Sequence, residues 1–301
     1  MPSAQPLRRY PHPTAEDLPR LARTAYGLAG RHCTACRDYH VMWPYLRSLG
    51  LHGGGPEHRF AEQHAAFAAA ARGRKAVRWL LAGSADAGQL ALVGSVAALD
   101  RAVLHRVTIV DRCATPLGVA RSHAEAAGLD LETVLGDLMA FDAPGAFDIV
   151  SMHHVVNFFP EELRLPFLRH AATWLAPDGR ILIAVNHVAP GATVKLSDAL
   201  RTWREAGIRE AAATGRLDLP EELETFVRRL DGMRDSRKNA QRGGHDRGYY
   251  ETLAGEAGLD IVDIVSLPFD DDERALHGGH PRERCILVAA AQGHGHWRDL
   301  C

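Results

Sequence analysis

The chain has 301 residues, 46% of them hydrophobic and 24% charged, with 35 Lys and Arg set against 37 Asp and Glu. That composition is ordinary for a folded globular chain and excludes a collagen-like, coiled-coil or wholly disordered one. A formal charge of −2 leaves no global basic field of the kind a nucleic-acid binder carries, and the longest apolar runs, such as Ile181 to Val185, fall far short of the ~20 residues of a membrane helix.

Taken from the start, the first residues contain no continuous apolar segment followed by a small-residue cleavage site, so no signal peptide is expected and a cytoplasmic location follows. Five Cys, an odd number spread over the chain, read as reduced thiols rather than a disulfide framework. Residues 1–75 read as a helical cap. Thr14-Ala15-Glu16-Asp17 is a helix-start signal, and Phe60, His64, Phe67 and Ala71 recur at helical spacing before the basic break Arg72-Gly73-Arg74-Lys75. Gly53-Gly54-Gly55-Pro56 between them is a loop. The apolar helical cap also offers a surface on which a homodimer could form.

Residues 76–188 change texture to short apolar runs alternating with segments of crossover-helix length. Val77 to Ala82, Val107 to Val110, Val134 with Leu135, Phe147 to Met152 and Ile181 to Val185 are expected strands. Residues 189–248 form a charged insertion with helices expected at Leu196 to Ala213 and Glu221 to Asp235, ending in Gln241-Arg242-Gly243-Gly244-His245. Without a long unbroken apolar run, it suits a lid over a pocket better than a separate core. Residues 249–301 add a helix from Tyr249 to Gly258 and strands at Ile261 to Leu267 and Cys285 to Ala290. Alternating strands and helices predict an α/β fold, a doubly wound, Rossmann-like, mostly parallel seven-stranded sheet with ligands at the carboxyl ends of its strands.

The chemistry-bearing motif starts on the first strand: Leu80-Leu81-Ala82-Gly83-Ser84-Ala85-Asp86-Ala87-Gly88, then a helix. Small residues let a ligand approach the backbone, and the helix N-terminus offers free N–H groups. The second strand ends on Asp111, placed to accept hydrogen bonds from a ribose diol. The third runs into Gly136-Asp137, the fourth into His153-His154, and the fifth follows the turn Leu175-Ala176-Pro177-Asp178-Gly179. In these features the chain resembles the class I S-adenosylmethionine-dependent methyltransferases. That resemblance implies S-adenosylmethionine as cofactor, a reversed pair of final strands, and methyl transfer to oxygen, nitrogen or carbon of a small molecule in specialised metabolism. It implies cofactor contacts at Gly83, Ser84, Ala85, Gly88, Asp111, Arg112, Asp137, Leu138 and His153. Where that family has G-x-G-x-G, alanines stand at Ala85 and Ala87, each adding a methyl group to the loop. The departure keeps open a non-methylating use of the same cofactor and a non-catalytic binding module. Gly83, Ala85 and Gly88 also fit a variant dinucleotide fingerprint, so a nicotinamide-dependent dehydrogenase is a competing reading.

His153 and His154 at the end of the fourth strand, with Tyr249, are the expected catalytic residues, since an imidazole near neutral pKa can take a proton from an acceptor hydroxyl or amine. Tyr39, His40, His187, His245 and Tyr250 are the expected substrate contacts. No metal is expected: Cys33, Cys36 and His40 have ligand chemistry, but a zinc site needs a fourth ligand and the chain has no second C-x-x-C. Cys113 reads as a small buried residue, Asp270 to Glu273 as a solvated charge run, and His294 and His296 as part of a tail. The expected partner is a small molecule, with neither nucleic acid nor membrane.

Overall fold

The computed structural model describes residues 17–52, 59–188, 198–238, 245–269 and 282–292. The expected helix start at Thr14 to Glu16, the Gly53–Pro56 loop, the Gln241–Gly244 hinge, the Asp270–Glu273 run and the His294/His296 tail lie outside the described residues. Three helices open the chain: α1 (Leu18–His32), α2 (Arg37–Ser48) and α3 (Phe60–Ala71). The core follows as β1 (Ala76–Ala82), α4 (Gly88–Ala97), β2 (Leu104–Asp111), α5 (Ala114–Ala127), β3 (Asp130–Leu135), β4 (Phe147–His153), a 3-10 turn at Val155–Phe158, α6 (Glu161–Thr173) and β5 (Leu175–Val188). Next come α7 (Asp198–Ala213) and α8 (Leu223–Lys238), then α9 (Arg247–Glu256), β6 (Leu259–Pro268) and β7 (Arg282–Ala291).

One seven-stranded sheet has the order β3-β2-β1-β4-β5-β7-β6. Strands β1 to β5 are parallel, and β7 enters antiparallel between β5 and β6. The chain order reverses between β1 and β4, which creates the crevice where ligands bind in open α/β sheets. The inner strands bury both faces along most of their length, so their alternate residues enter different cores. Trp79, Leu81, Ile109 and Ile149 pack under α3, α4 and α5. Leu80, Ala82, Val150 and Met152 pack against Phe167 and Trp174 at α6 and against Leu253 of α9. Leu175 to Gly179, expected as a turn, is counted within β5, with pairing that jumps from Phe147↔Leu175 to Ile149↔Arg180 and a left-handed Asp178 at φ 62°.

The amino-terminal helices and the insertion form one layer. Tyr45 and Leu46 of α2 share a buried cluster with Trp203 and Ile208 of α7 and Phe226 of α8, and the Tyr45 and Phe226 rings meet edge to face at 5.0 Å. As expected of an insertion without a core of its own, neither segment has enough apolar residues alone, and each covers the other's apolar face. Arg229 of α8 reinforces the contact, 2.6 Å from Asp38 of α2 and 2.5 Å from Glu221. Helix α1 packs on α5 closely enough that a Cβ on Gly118 would stand 2.6 Å from Leu28. No helix among the described residues is long and apolar enough to cross a membrane.

Candidate cofactor and acceptor site

The crevice is built on the turn after β1. Gly83 sits at φ +72°, a left-handed conformation that favours glycine, and a Cβ there would come within 2.9 Å of Val155 Cγ2. This conformation aims the next amide at β2: the Ser84 N–H donates to Asp111 Oδ2 at 2.9 Å, and the Cys113 N–H donates to Asp111 Oδ1 at 2.7 Å. Burial pushes the Asp111 carboxyl up from the usual carboxylate range, against the pull of those two N–H donors and of nearby His40. Each carboxylate oxygen has lone pairs beyond the one used, so Asp111 can still accept from a pair of vicinal hydroxyls.

The alanines of the loop have separate explanations. Ala87 is fully buried against Leu21 and Ala25 of α1 and Val119 of α5, so its methyl group fills a helix contact instead of the space above the loop. Ala85 is half-buried. Asp86 accepts the Gly88 N–H at 2.7 Å and pairs with Arg47 of α2 at 2.5 Å, with both side chains buried. The Ser84 hydroxyl donates to the Asp86 carbonyl oxygen. From below, Gln89 Nε2 donates to the Gly83 carbonyl at 3.3 Å while its Oε1 accepts from Ser151 of β4 at 2.8 Å. The loop is thus braced from both the sheet and the cap. Arg47, Asp86, Gln89 and Ser151 were not expected at the site. An aspartate two residues before a helix-leading glycine is a legible capping signal for Asp86, whereas nothing local marks Arg47.

At the end of β3, Asp137 Oδ1 accepts the Met139 N–H at 2.9 Å and Oδ2 lies 3.7 Å from Arg112 Nε. Leu138 is buried beside Gly83. Arg112 has a largely solvent-exposed side chain, 79% accessible, which sets it at the rim. This donor set suits an adenosyl group: a half-buried acid at β2 for the ribose, a half-exposed acid at β3, and an apolar floor at Leu138.

Strand β4 ends with the rings of His153 and His154 in edge contact at 4.5 Å. His154 is left-handed at φ +62°, a conformation costly for a residue with a Cβ, and its N–H donates to Ala184 of β5 at 2.8 Å. Tyr39 of α2 reaches this end of the sheet: its ring stands edge-on to Phe158 at 6.3 Å and stacks with Trp43 at 6.2 Å. Phe158, which sequence reasoning missed, is 47% exposed beside them.

The remaining expected contacts separate. His40 is buried with its Nδ1 3.3 Å from Cys33 Sγ and 3.4 Å from Cys113 Sγ, while its ring meets that of Tyr39 edge to face at 5.3 Å. Tyr250 is a core residue of α9 whose hydroxyl donates to Asn157 Oδ1 at 2.7 Å, and burial pushes its phenol up to about 12. Tyr249 stacks on His245 at 3.7 Å and accepts from buried Arg164 Nη1 at 3.4 Å. His245 Nε2 is 3.9 Å from Glu161, and His187 Nε2 is 3.9 Å from Glu283 of β7. Burial lowers the pKa of both histidines, which favours their neutral forms. One aromatic group therefore lies on the α2 side of the 3-10 turn and another on the α9 side, with Asn157 in the turn between them.

Residues 93–179, from within α4 into the start of β5, match the family model of the methyltransferase domain. This segment of the core is similar to a methyltransferase domain. The match and the antiparallel β7 favour the methyltransferase resemblance over the dehydrogenase reading of the Gly83–Gly88 turn. Similar solved structures include a Burkholderia thailandensis 1,6-didemethyltoxoflavin N1-methyltransferase, at 17% identity over 78% of this chain and 79% of that one, TM-score 0.49. A mitomycin 7-O-methyltransferase matches at 17% identity over 93% of this chain and 68% of its own, TM-score 0.49. A TehB-like methyltransferase from Corynebacterium glutamicum matches at 17% identity over 85% and 97%, TM-score 0.47. A search of the curated proteins finds no match.

Proposed function

We propose that this chain is an S-adenosylmethionine-dependent methyltransferase acting on a small molecule with an aromatic or other flat apolar surface, seated between the carboxyl end of β4 and α2. The observation that carries this reading is the Tyr39, Trp43 and Phe158 group, half-open beside the two histidines that end β4. Aromatic faces hold a flat ligand at little conformational cost and exclude water from the reacting atoms. When bound, S-adenosylmethionine supplies a methyl group already activated by its sulfonium, so the chain has chiefly to align the nucleophile. Asp111 holds the ribose hydroxyls and Asp137 and Leu138 the base. His154, fixed by the Ala184 bond and by its ring contact with His153, accepts the proton of an acceptor hydroxyl or amine as the methyl is transferred. Tyr249 and His245 border the far side of the 3-10 turn and serve acceptor selection. Cys33, Cys36, Cys113 and Cys285 are all unpaired, which suits a reducing cytoplasm.

The test is transfer of tritium from methyl-labelled S-adenosylmethionine to panels of phenols, heteroaromatic amines and enols. Label is expected in the organic-extractable fraction, with His154→Ala slowing turnover and Phe158→Ala raising the acceptor KM. Label found only in protein or nucleic acid would overturn the small-molecule reading. Asp111→Asn, which puts an NH2 group where one backbone N–H now donates, should weaken S-adenosylhomocysteine by roughly 10- to 150-fold, the equivalent of about 1.5–3 kcal/mol. An unchanged Kd in calorimetry would remove Asp111 from the ribose site.

A further inference from the structure

Cys33, Cys36 and His40 were set aside as metal ligands for want of a fourth. The fold supplies it. Cys33 closes α1, Cys36 precedes α2, His40 lies in the first turn of α2, and Cys113, from the far side of the sequence, precedes α5 at the end of β2. The four ligand atoms all lie within 4.8 Å of one another. Cys33 Sγ is 3.4 Å from Cys113 Sγ, Cys36 Sγ is 4.0 Å from Cys113 Sγ, and His40 Nδ1 is 3.3 Å from Cys33 Sγ and 3.4 Å from Cys113 Sγ.

We propose that these four side chains form a closed Cys3His site for a zinc ion, which ties the helical cap to the cofactor domain. A tetrahedral zinc with its usual bond lengths places sulfurs about 3.8 Å apart and sulfur and nitrogen about 3.6 Å apart. The sulfur–sulfur separations of 3.4 and 4.0 Å lie on either side of the first value and the sulfur–nitrogen separations of 3.3 and 3.4 Å fall just below the second, so the ion needs only small side-chain adjustments. A disulfide fits less well, because an S–S bond of about 2 Å would have to draw two of these sulfurs together and leave the third thiol and His40 without a role. The donor set is also selective: three thiolates and an imidazole favour zinc over magnesium or calcium, which prefer oxygen.

The surroundings suit the net charge. Zinc with three thiolates and one neutral imidazole carries a formal charge of −1, and the site abuts the N-terminus of the 14-residue helix α5. The Thr115 N–H donates to Cys113, and Thr115 Oγ1, fully buried, lies 3.0 Å from Cys33 Sγ. Binding involves no redox step: three thiol protons pass to solvent as three Zn–S bonds form. Four protein ligands leave no open position, so the ion is structural and activates no water. Its placement matters nevertheless, since Cys113 also donates its N–H to Asp111 at 2.7 Å. The ion would fix the segment that presents Asp111 and, through α2, the helix that carries Tyr39 and Arg47.

The experiment uses the full chain, purified without chelator and dialysed exhaustively, with metals measured by plasma mass spectrometry. One zinc per chain is expected, with Cys113→Ser and Cys36→Ser losing stoichiometric retention. Removing zinc with a strong chelator should lower Tm by on the order of 5–10 °C, reversed by zinc alone. Because a serine variant can fail to fold, the wild-type chain is also exchanged with cobalt(II). Intense visible bands of tetrahedral cobalt with a thiolate charge-transfer band are expected, and weak octahedral bands overturn the site. A zinc-free chain whose titration with Zn2+ shows no uptake, a Cys33–Cys113 disulfide in reduced preparations, or undiminished zinc in a folded Cys113→Ser variant would likewise overturn it. Stoichiometric iron or copper in place of zinc would overturn the zinc assignment. None of these readouts depends on methyl transfer, so the site and the acceptor reading fail separately.

Discussion

The Arg47–Asp86 pair gives the sharpest test of how the cap acts on the cofactor loop. Its two side chains are 1% and 7% exposed, and Asp86 has the Gly88 N–H at 2.7 Å as a second donor. Arg47→Met keeps most of the aliphatic volume but leaves the Asp86 carboxylate buried without its cation. Removing one partner of a buried pair costs about 3–5 kcal/mol, because the remaining charge stays desolvated. The Gly88 N–H and the N-terminal end of α4 offset about 1 kcal/mol of that. The expected net loss is therefore about 2–4 kcal/mol, and with a slope of about 2–3 kcal/mol per molar urea the midpoint should fall by roughly 1 M. Adding Asp86→Asn, which removes the stranded charge but keeps an acceptor for Gly88, should restore about 1–3 kcal/mol in a double-mutant cycle. Urea unfolding followed by tryptophan fluorescence measures stability, and calorimetry with S-adenosylhomocysteine measures the loop. A single variant within about 0.5 kcal/mol of wild type, with additive double-mutant behaviour, would refute the view that this pair is desolvated and holds the loop.

Asp148, at the end of β4 away from the crevice, accepts from the Arg78 N–H at 2.8 Å and the Arg78 guanidinium at 3.0 and 3.1 Å. Asp148→Asn should cost about 1–3 kcal/mol in urea unfolding with S-adenosylhomocysteine affinity intact, and a changed Kd would contradict its purely structural placement. Gly83→Ala forces a Cβ into a left-handed turn 2.9 Å from Val155, so both stability, by about 1–3 kcal/mol, and cofactor affinity should fall, as melting and calorimetry would show. His105, His123, His187 and His245 all have pKa values lowered from 6.5 by burial. Because the unfolded chain then binds more protons, their contribution to stability is present above 6.5 and lost as pH falls through the lower folded values. NMR titration of these four rings should thus give midpoints below 6.5, and midpoints at or above it would contradict their burial.

The inner strands of the sheet were legible from residues alone, because a strand buried on both faces appears as a short, largely apolar run: Val77 to Ala82 and Ile181 to Val185 both lie within observed strands. The carboxyl-end positions of Gly83, Asp111, Asp137 and His153 followed, since a parallel sheet fixes which end of each strand faces the crevice. What periodicity encodes is that a face must be buried, but not what it meets. The methyl of Ala87 counts against cofactor binding in the loop motif and is harmless once α1 and α5 are seen to enclose it. The insertion lacks a core of its own until α2 completes one. Arg47 finds Asp86, and His40 finds Cys113, through contacts that no local pattern announces. Cys113 stands 80 residues from Cys33, 77 from Cys36 and 73 from His40, so only the packing of α1 and α2 against α5 turns an incomplete ligand set into four donors around one point. Spacing along the chain determines the local conformation of each segment, whereas contacts between distant segments follow from how all the apolar faces are satisfied at once.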